Sequence, residues 1–512
     1  MSNLAQNKCV PCERDIPALT KDEIQSLKKE TPEWEVVEVD GIPWLKRSFS
    51  FNFIISIILS LVLISCTGTN KTSFQTETPA PRLTHTTPAS THTRPAPTNT
   101  ATLQCPSYGR PYEMLNIANN RGKNAEPMLL TGDFNTDGLD DLLVAWSIWG
   151  EYETFKFDIL LNDGNENLIS GTSELFSGEI PEIQSLPALP LLVSDFNSDG
   201  HNDVFLGIAG LDTEPFPGYQ NLLLLSDTNG KLIDATLNLP QQNDFPHSVA
   251  SADVDNDGDV DVYVGNVWSQ PMVDPQLLLN DSKGIFNNAN YLLPPHLTLQ
   301  QNGYTASEFV DVNNDSFPDL VLGDAGDDIS NNYSSRDSIV LINDGSGGFT
   351  LLEGAIPQKQ SPTWLAEDIV SSDLNGDNYQ DLVIVYTETN FVGRFFQVLI
   401  NQRDGTFLDE TEQRLPNAND TNSAAVYQLD FLDMDMDQDM DLIVRLWNDK
   451  NPTPLLYMND GEGFFVSEQL NIGLDSVHYT ILDIDGDGGN DFVYAYYGPS
   501  SSVFLIKENG CK

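Results

Sequence analysis

Oxygen-bearing side chains recur along this sequence at fixed offsets, and their chemistry is that of a cation cage. A nine-residue stretch carries them at its positions 1, 3, 5 and 9 and occurs seven times. The seven sets are Asp133, Asn135, Asp137 and Asp141; Asp195, Asn197, Asp199 and Asp203; Asp253, Asp255, Asp257 and Asp261; Asp311, Asn313, Asp315 and Asp319; Asp373, Asn375, Asp377 and Asp381; Asp433, Asp435, Asp437 and Asp441; and Asp483, Asp485, Asp487 and Asp491. Those positions hold 24 Asp and 4 Asn, with no other residue type. Alternate residues of a tightly curled loop point inward, so the first three oxygens converge; position 7 can add a backbone carbonyl, and position 9 closes the shell. Several carboxylates in an all-oxygen, flexible set suit a hard cation, Ca²⁺ better than Mg²⁺. Up to seven Ca²⁺ ions are therefore expected. The same side chains could hold their loops by Asx turns alone, but seven unbroken repetitions favour the ion. Position 6 must turn sharply, which suits Gly138, Gly200, Gly258 and Gly488 and is tolerated by Asn378. Ser316 and Gln438 depart, so the fourth and sixth loops are expected to be the weakest.

The 512 residues carry 76 Asp+Glu against 25 Lys+Arg, a formal net charge of −51. A surface of that sign repels phosphates, which excludes nucleic acid as a partner. Hydrophobic residues make up 40%, enough for real cores.

The elements that must position the loops follow from the repeat. Successive stretches start 62, 58, 58, 62, 60 and 50 residues apart. Each runs into a short apolar segment such as LLVAW or VFLGI, and a second apolar segment ending in a turn, such as FDILLNDG or SIVLINDGSGG, follows. Short β-rich runs with Gly/Asn/Asp turns at this period predict four-stranded blades. The expected fold class is all-β: a seven-bladed β-propeller over residues 105–512, whose closure leaves only short protected edges. An open solenoid would need polar capping repeats, which the sequence does not offer.

The DFNTDGLDD, DVDNDGDVD and DIDGDGGND stretches, with their trailing strands, resemble the FG-GAP/VCBS repeat family, which includes integrin α-chain head domains. The resemblance spans about four-fifths of the chain. It implies calcium in the hairpin between the first and second strands of each blade, in a structural rather than catalytic role.

Ahead of the repeats lie three unlike segments. Residues 1–50 form a small α+β fragment, with a helix expected after Thr20 and Glu23 and a hairpin turning at Asp40-Gly41. Pro17-Ala18-Leu19-Thr20, Trp34 and the strand pair beyond resemble the N-terminal part of pterin-4a-carbinolamine dehydratases. That resemblance implies a dehydratase whose catalytic histidines include a His-His-Pro motif. No such motif occurs among His85, His92, His201, His247, His296 and His478, so the sequence leans against an enzyme. Residues 51–66 are an apolar run after Arg47 that ends Leu63-Ile64-Ser65-Cys66. Its apolar centre is short against the ~20 residues of a spanning helix. It resembles a bacterial lipoprotein signal with Cys66 as the lipidated residue; an uncleaved anchor is the alternative, and both place the remainder outside the cytoplasm. The Thr/Pro-rich residues 67–104 read as a disordered tether.

The last repeat ends at a third strand, so residues 111–117 are expected to supply the seventh blade's fourth. Cys105 and Cys511 would then flank the ring's break and form a disulfide, or stand as two free thiols. If the Asp loops share one face, the opposite face collects Trp146, Trp149, Tyr152, Trp268, Asp324, Asp327, Asp328, Tyr386 and Trp447. Exposed aromatics there suit a glycan or a protein partner. The expected function is thus a membrane-tethered, calcium-stabilised binding module at the cell surface. A polysaccharide-active enzyme on the same scaffold is the alternative, and residual dehydratase activity of the N-terminal fragment is a further one.

Overall fold

The computed structural model describes residues 35–39, 42–46, 125–148, 157–165, 167–178, 186–210, 216–267, 273–297, 303–326, 337–388, 391–435, 437–446, 455–469, 477–484, 491–496 and 502–506. The chain divides into two compact units, Met1–Pro97 and Thr98–Lys512. In the first, β1 (Glu35–Val39) pairs antiparallel with β2 (Ile42–Lys46), with Val39 opposite Ile42. Asp40 and Gly41, where the turn was expected, and the helix expected after Thr20 lie outside the described residues. The lipoprotein-like run, Cys66, the tether, Cys105 and Cys511 lie outside the described residues. Among the described residues no helix is long and apolar enough to cross a membrane.

The second unit is built of antiparallel sheets whose strands follow chain order. The first comprises β3 (Ala125–Gly132), β4 (Asp141–Ile148), β5 (Phe157–Asn162) and β6 (Leu168–Ser170). The second comprises β7 (Leu186–Ser194), β8 (Asp203–Gly210), β9 (Leu222–Ser226) and β10 (Leu232–Asp234). The third comprises β11 (Pro246–Ala252), β12 (Asp261–Asn266), β13 (Gln276–Leu279) and β14 (Asn287–Asn288). The fourth comprises β15 (Tyr304–Val310), β16 (Asp319–Asp324), β17 (Ile339–Asn343) and β18 (Phe349–Leu352). The fifth comprises β19 (Trp364–Ser372), β20 (Asp381–Glu388), β21 (Val392–Asn401) and β22 (Phe407–Asp409), with β23 (Asp420–Ala424) added beside β21. The sixth comprises β24 (Val426–Leu432), β25 (Asp441–Leu446), β26 (Leu455–Asn459) and β27 (Phe465–Gln469).

This is an all-β propeller, but with six blades rather than the seven expected. The difference lies in the strand count of the last repeat. Among the described residues it forms β28 (Val477–Leu482), β29 (Asp491–Tyr496) and β30 (Ser502–Ile506), and residues 111–117, expected to complete it, lie outside the described residues.

First strands of neighbouring sheets pack side by side, β3 on β7, β7 on β11, β11 on β15, β15 on β19 and β19 on β24; β28 packs on β3. The cores lie between sheets. Phe196, Phe205, Leu223, Val262, Val264 and Phe286 fill the space between the second and third blades. Leu142, Val144 and Leu160 of the first blade meet Leu482, Ile484 and Val493 of the last sheet, which joins the ends of the series. The second strands are apolar on both faces, as in VFLGI of β8, because they are covered by a neighbour on either side.

Candidate cation loops and the face opposite

Each Asp stretch is the turn between the first and second strands of its sheet, as its position between β3 and β4, or β11 and β12, requires. Six of the seven loops share one internal scaffold among the described residues. The position 1 carboxylate accepts the backbone N–H groups of positions 5 and 6: Asp137 N and Gly138 N donate to Asp133 at 3.1 and 2.9 Å. The same pair recurs on Asp195, Asp253, Asp311, Asp373 and Asp433. The position 5 carboxylate accepts the N–H of position 7, as Asp137 does from Leu139 at 3.0 Å. Position 6 is left-handed in all six of these loops: φ is 88° at Gly138 and 67° at Asn378, and Ser316 and Gln438 take the same turn at 73° and 79°. The sequence did not announce a second left-handed residue at position 4, held by Thr136, Ser198, Asn256 and Asn314.

Position 9 ties the loop to the blade. Asp141 is fully buried; its Oδ2 accepts Phe134 N at 3.1 Å and its Oδ1 accepts Asn162 N at 2.8 Å. Asp203, Asp261, Asp319, Asp381 and Asp441 repeat both bonds, and Asp491 accepts Ile484 N. Burial pushes these carboxyls up, to about 6 for Asp141 and Asp203 and about 7 for Asp261, Asp319, Asp381 and Asp441. Each carboxylate oxygen has two lone pairs, so these bonds leave acceptor capacity toward the loop centre, except at Asp203, whose oxygens also accept from Asn197 N and the Ser226 hydroxyl.

Position 3 is where the scaffold stops. Asp255 Oδ1, Asn313 Oδ1 and Asp435 Oδ1 are shielded from solvent and accept no hydrogen bond. In two of the three all-Asp loops, oxygens of Asp253, Asp255 and Asp261, and of Asp433, Asp435 and Asp441, lie within 4.8 Å of one another. Three gathered carboxylate oxygens, one with no donor, fit a hard divalent cation. Asn135, Asn197 and Asn375 instead accept from position 5 N–H groups. Of the seventh loop, Asp483 and Asp491 are described, while Asp485 and Asp487 lie outside the described residues.

The sequence reading did not assign a role to the Asn of the second marker. Asn280 Nδ2 donates to Phe196 O at 2.7 Å, Asn343 to Val254 O at 2.8 Å, Asn401 to Val312 O at 2.7 Å and Asn459 to Leu374 O at 3.3 Å. Each acceptor is position 2 of the preceding blade's Asp loop. Asn162 reaches the last loop in the same way, one residue earlier, at Asp483 O and 2.9 Å. The second blade has Ser226 there, and Asn202 reaches Asp133 O instead. The Asn that recurs at the end of five of the seven third strands was the available signal.

The opposite face corrects one expectation. Tyr386 and Asp324 are buried, not displayed to a partner: they are 0% and 1% exposed. The Tyr386 hydroxyl donates to Gln397 Oε1 at 2.7 Å, and Asp324 is paired with Lys359. Ordinary blade packing claims them. Trp149, Tyr152, Trp268, Asp327, Asp328 and Trp447 lie outside the described residues. A hollow of about 270 Å³ does open on the fifth blade, lined among others by Gln360, Trp364, Gln397, Asp409, Glu412 and Asn419. Nearer the ring's middle, β11, β15, β19 and β24 each bulge six residues before their loop, at His247, Thr305, Glu367 and Tyr427. Glu367 Oε1 has no donor, and burial with the Asp368 charge pushes that carboxyl up to about 8. Burial likewise raises Glu308 and Asp368 to about 7.

This is a β-propeller in which the loops at Asp195, Asp253, Asp373 and Asp433 lie in FG-GAP-like repeats. The family described as FG-GAP-like repeat matches residues 195–264 and 373–444. The N-terminal segment is similar to curated proteins named as pterin-4-alpha-carbinolamine dehydratases: 46% identical over 55 residues to one from Marinobacter nauticus, and 43% over 51 residues to one from Chlorobium luteolum. These matches cover 10% of this chain and 50% and 45% of the relatives, so the chain spans about half their length. Among solved structures, the V. cholerae biofilm matrix protein Bap1 aligns over 79% of this chain and 70% of its own, with 12% identity and a TM-score of 0.32. A family 43 β-1,3-galactosidase aligns over 79% and 93%, with 8% identity and a TM-score of 0.30.

Proposed function

We propose that residues 105–512 form a calcium-stabilised binding module, carried outside the cytoplasm and tethered to the membrane through a lipid on Cys66, that binds a glycan or protein. The observation that carries the calcium reading is the set of unpartnered position 3 oxygens, each inside a loop whose position 1 and position 9 carboxylates are held by backbone N–H groups. The side chains at positions 1, 3, 5 and 9 of each stretch would hold the ion, which would neutralise carboxylates that otherwise repel at close range. The partner reading draws on the fifth-blade hollow, where amides, carboxylates and an indole offer the donors and acceptors that a polyhydroxylated ligand needs. Its acidic lining disfavours sulfated or phosphorylated ligands. The dehydratase half-match does not support that activity here, because the His-His-Pro motif of the resembled family is absent from the sequence. A glycan array probed with the full chain, with calcium and with EDTA, tests the module: calcium-dependent retention supports it, and retention equal in both arms removes calcium from the account.

A further inference from the structure

The third Asp loop differs from its neighbours at position 7. Asp259 stands there, where the first, second, fourth and fifth loops have Leu139, His201, Phe317 and Tyr379. The sixth loop also has an acid, Asp439, but that side chain stays partly open to solvent beside Gly461. Asp259 is only 2% exposed. Its Oδ2 accepts the Ser282 hydroxyl at 2.9 Å, from the turn after β13, whereas its Oδ1 is shielded from solvent and accepts nothing. The charge that faces it is another carboxylate, Asp257. The ion pairs among the described residues bring it no Lys or Arg. A buried carboxylate with one oxygen unpartnered and a second carboxylate against it is strongly unfavourable without a countercharge.

We propose that Asp257, Asp259 and the Ser282 hydroxyl form a second Ca²⁺ site in the third blade, so that this loop holds two ions bridged by the Asp257 carboxylate. The inference rests on the reading that the Asp loops hold calcium, and adds an ion that the nine-residue spacing does not provide. Asp257 is position 5 of the loop but stands outside the gathered Asp253, Asp255 and Asp261 oxygens, so its service to the first ion rests on the loop reading. Its Oδ1 accepts the Asp259 N–H at 3.2 Å while its Oδ2 accepts no backbone N–H. Calcium takes 6–8 oxygens, so two carboxylates and one hydroxyl leave several places to water. The second ion is therefore held more weakly than the first. The other described loops lack a buried acid at position 7 and stop at one ion.

Calcium bound per chain, measured by equilibrium dialysis of the full chain with ⁴⁵Ca²⁺, tests this on four variants. Asp259→Leu, which installs the residue of the first loop, is expected to lose one ion; Asp257→Asn, two; Asp253→Asn, at least one. Ser282→Ala is expected to keep the count and weaken the lowest-affinity ion several-fold. An unchanged count in Asp259→Leu, or loss of only one ion in Asp257→Asn, overturns the second site even when Asp253→Asn still loses its ion and the loop reading stands. Should Asp259→Leu fail to fold by circular dichroism, an unaltered isotherm for Ser282→Ala overturns it alone. A wild-type chain that takes up no calcium overturns both readings together.

Discussion

Ser316 and Gln438 carry side chains through a left-handed turn that their counterparts make with glycine or asparagine. Strain of about 1 kcal/mol is expected at each, and a glycine would remove it while giving back some unfolded-state entropy. Ser316→Gly and Gln438→Gly should therefore each gain about 0.5 kcal/mol, read by urea unfolding in calcium; a loss of stability would show that these side chains hold the loop by contacts of their own. At position 9 a proton and a cation compete for one carboxylate. With Asp261, Asp319, Asp381 and Asp441 near 7, calcium affinity should climb from pH 5 to about pH 7.5 and then level off, and calorimetric titration across that range would expose a flat profile. Positions 1, 3, 5 and 9 were legible in the sequence because a loop scaffold and a cation ask for the same residue type each time. The position 4 turn was not, since Thr136, Ser198, Asn256 and Asn314 share a backbone conformation rather than a chemistry.

At the scale of the element, the third-strand Asn joins one blade to the loop of the one before. Removing the amide leaves a buried carbonyl without its donor, which costs about 1–3 kcal/mol. Asn343→Ala and Asn401→Ala should each lower stability by that amount, whereas Asn229→Ala, in an exposed turn, should not; equal effects would dismiss the bridge. The bulged first strands set a second expectation. Glu308, Glu367 and Asp368 have folded pKa values raised above their unfolded ones, so folding favours the protonated forms. Their contribution is complete below about pH 4 and is lost as pH rises through 7 to 8. In saturating calcium the melting midpoint should thus fall from pH 5.5 to 8.5, with Glu367→Gln flattening the fall; an unaltered slope would place the titration elsewhere. Strand order was readable from the apolar runs and turn residues. The strand β23 was not, because DTNSA lacks an apolar pattern and pairs only through β21's extended start. Nor was the burial of Tyr386, since an aromatic beyond a strand's middle looks the same whether a neighbouring blade covers it or solvent does.

For the whole molecule, the charge of −51 sets the terms. Carboxylates crowd at one end of every sheet, so chelation should lower the melting midpoint of the full chain and calcium should restore it, while sodium chloride, which screens without filling a cage, should restore much less. Salt and calcium acting alike would mean that general screening, not the loop, is at work.

The Asn bridges also have a direction. Each of the first five loops is latched by the blade that follows it in the chain, so a nascent propeller has an unsecured leading edge as those blades are made. The loop at Asp483 alone finds its latch already made, in Asn162 of the first blade. Arrival of that last carbonyl is therefore the event that turns a row of sheets into a ring, and a chain cut short before it would leave the first blade's amide waiting.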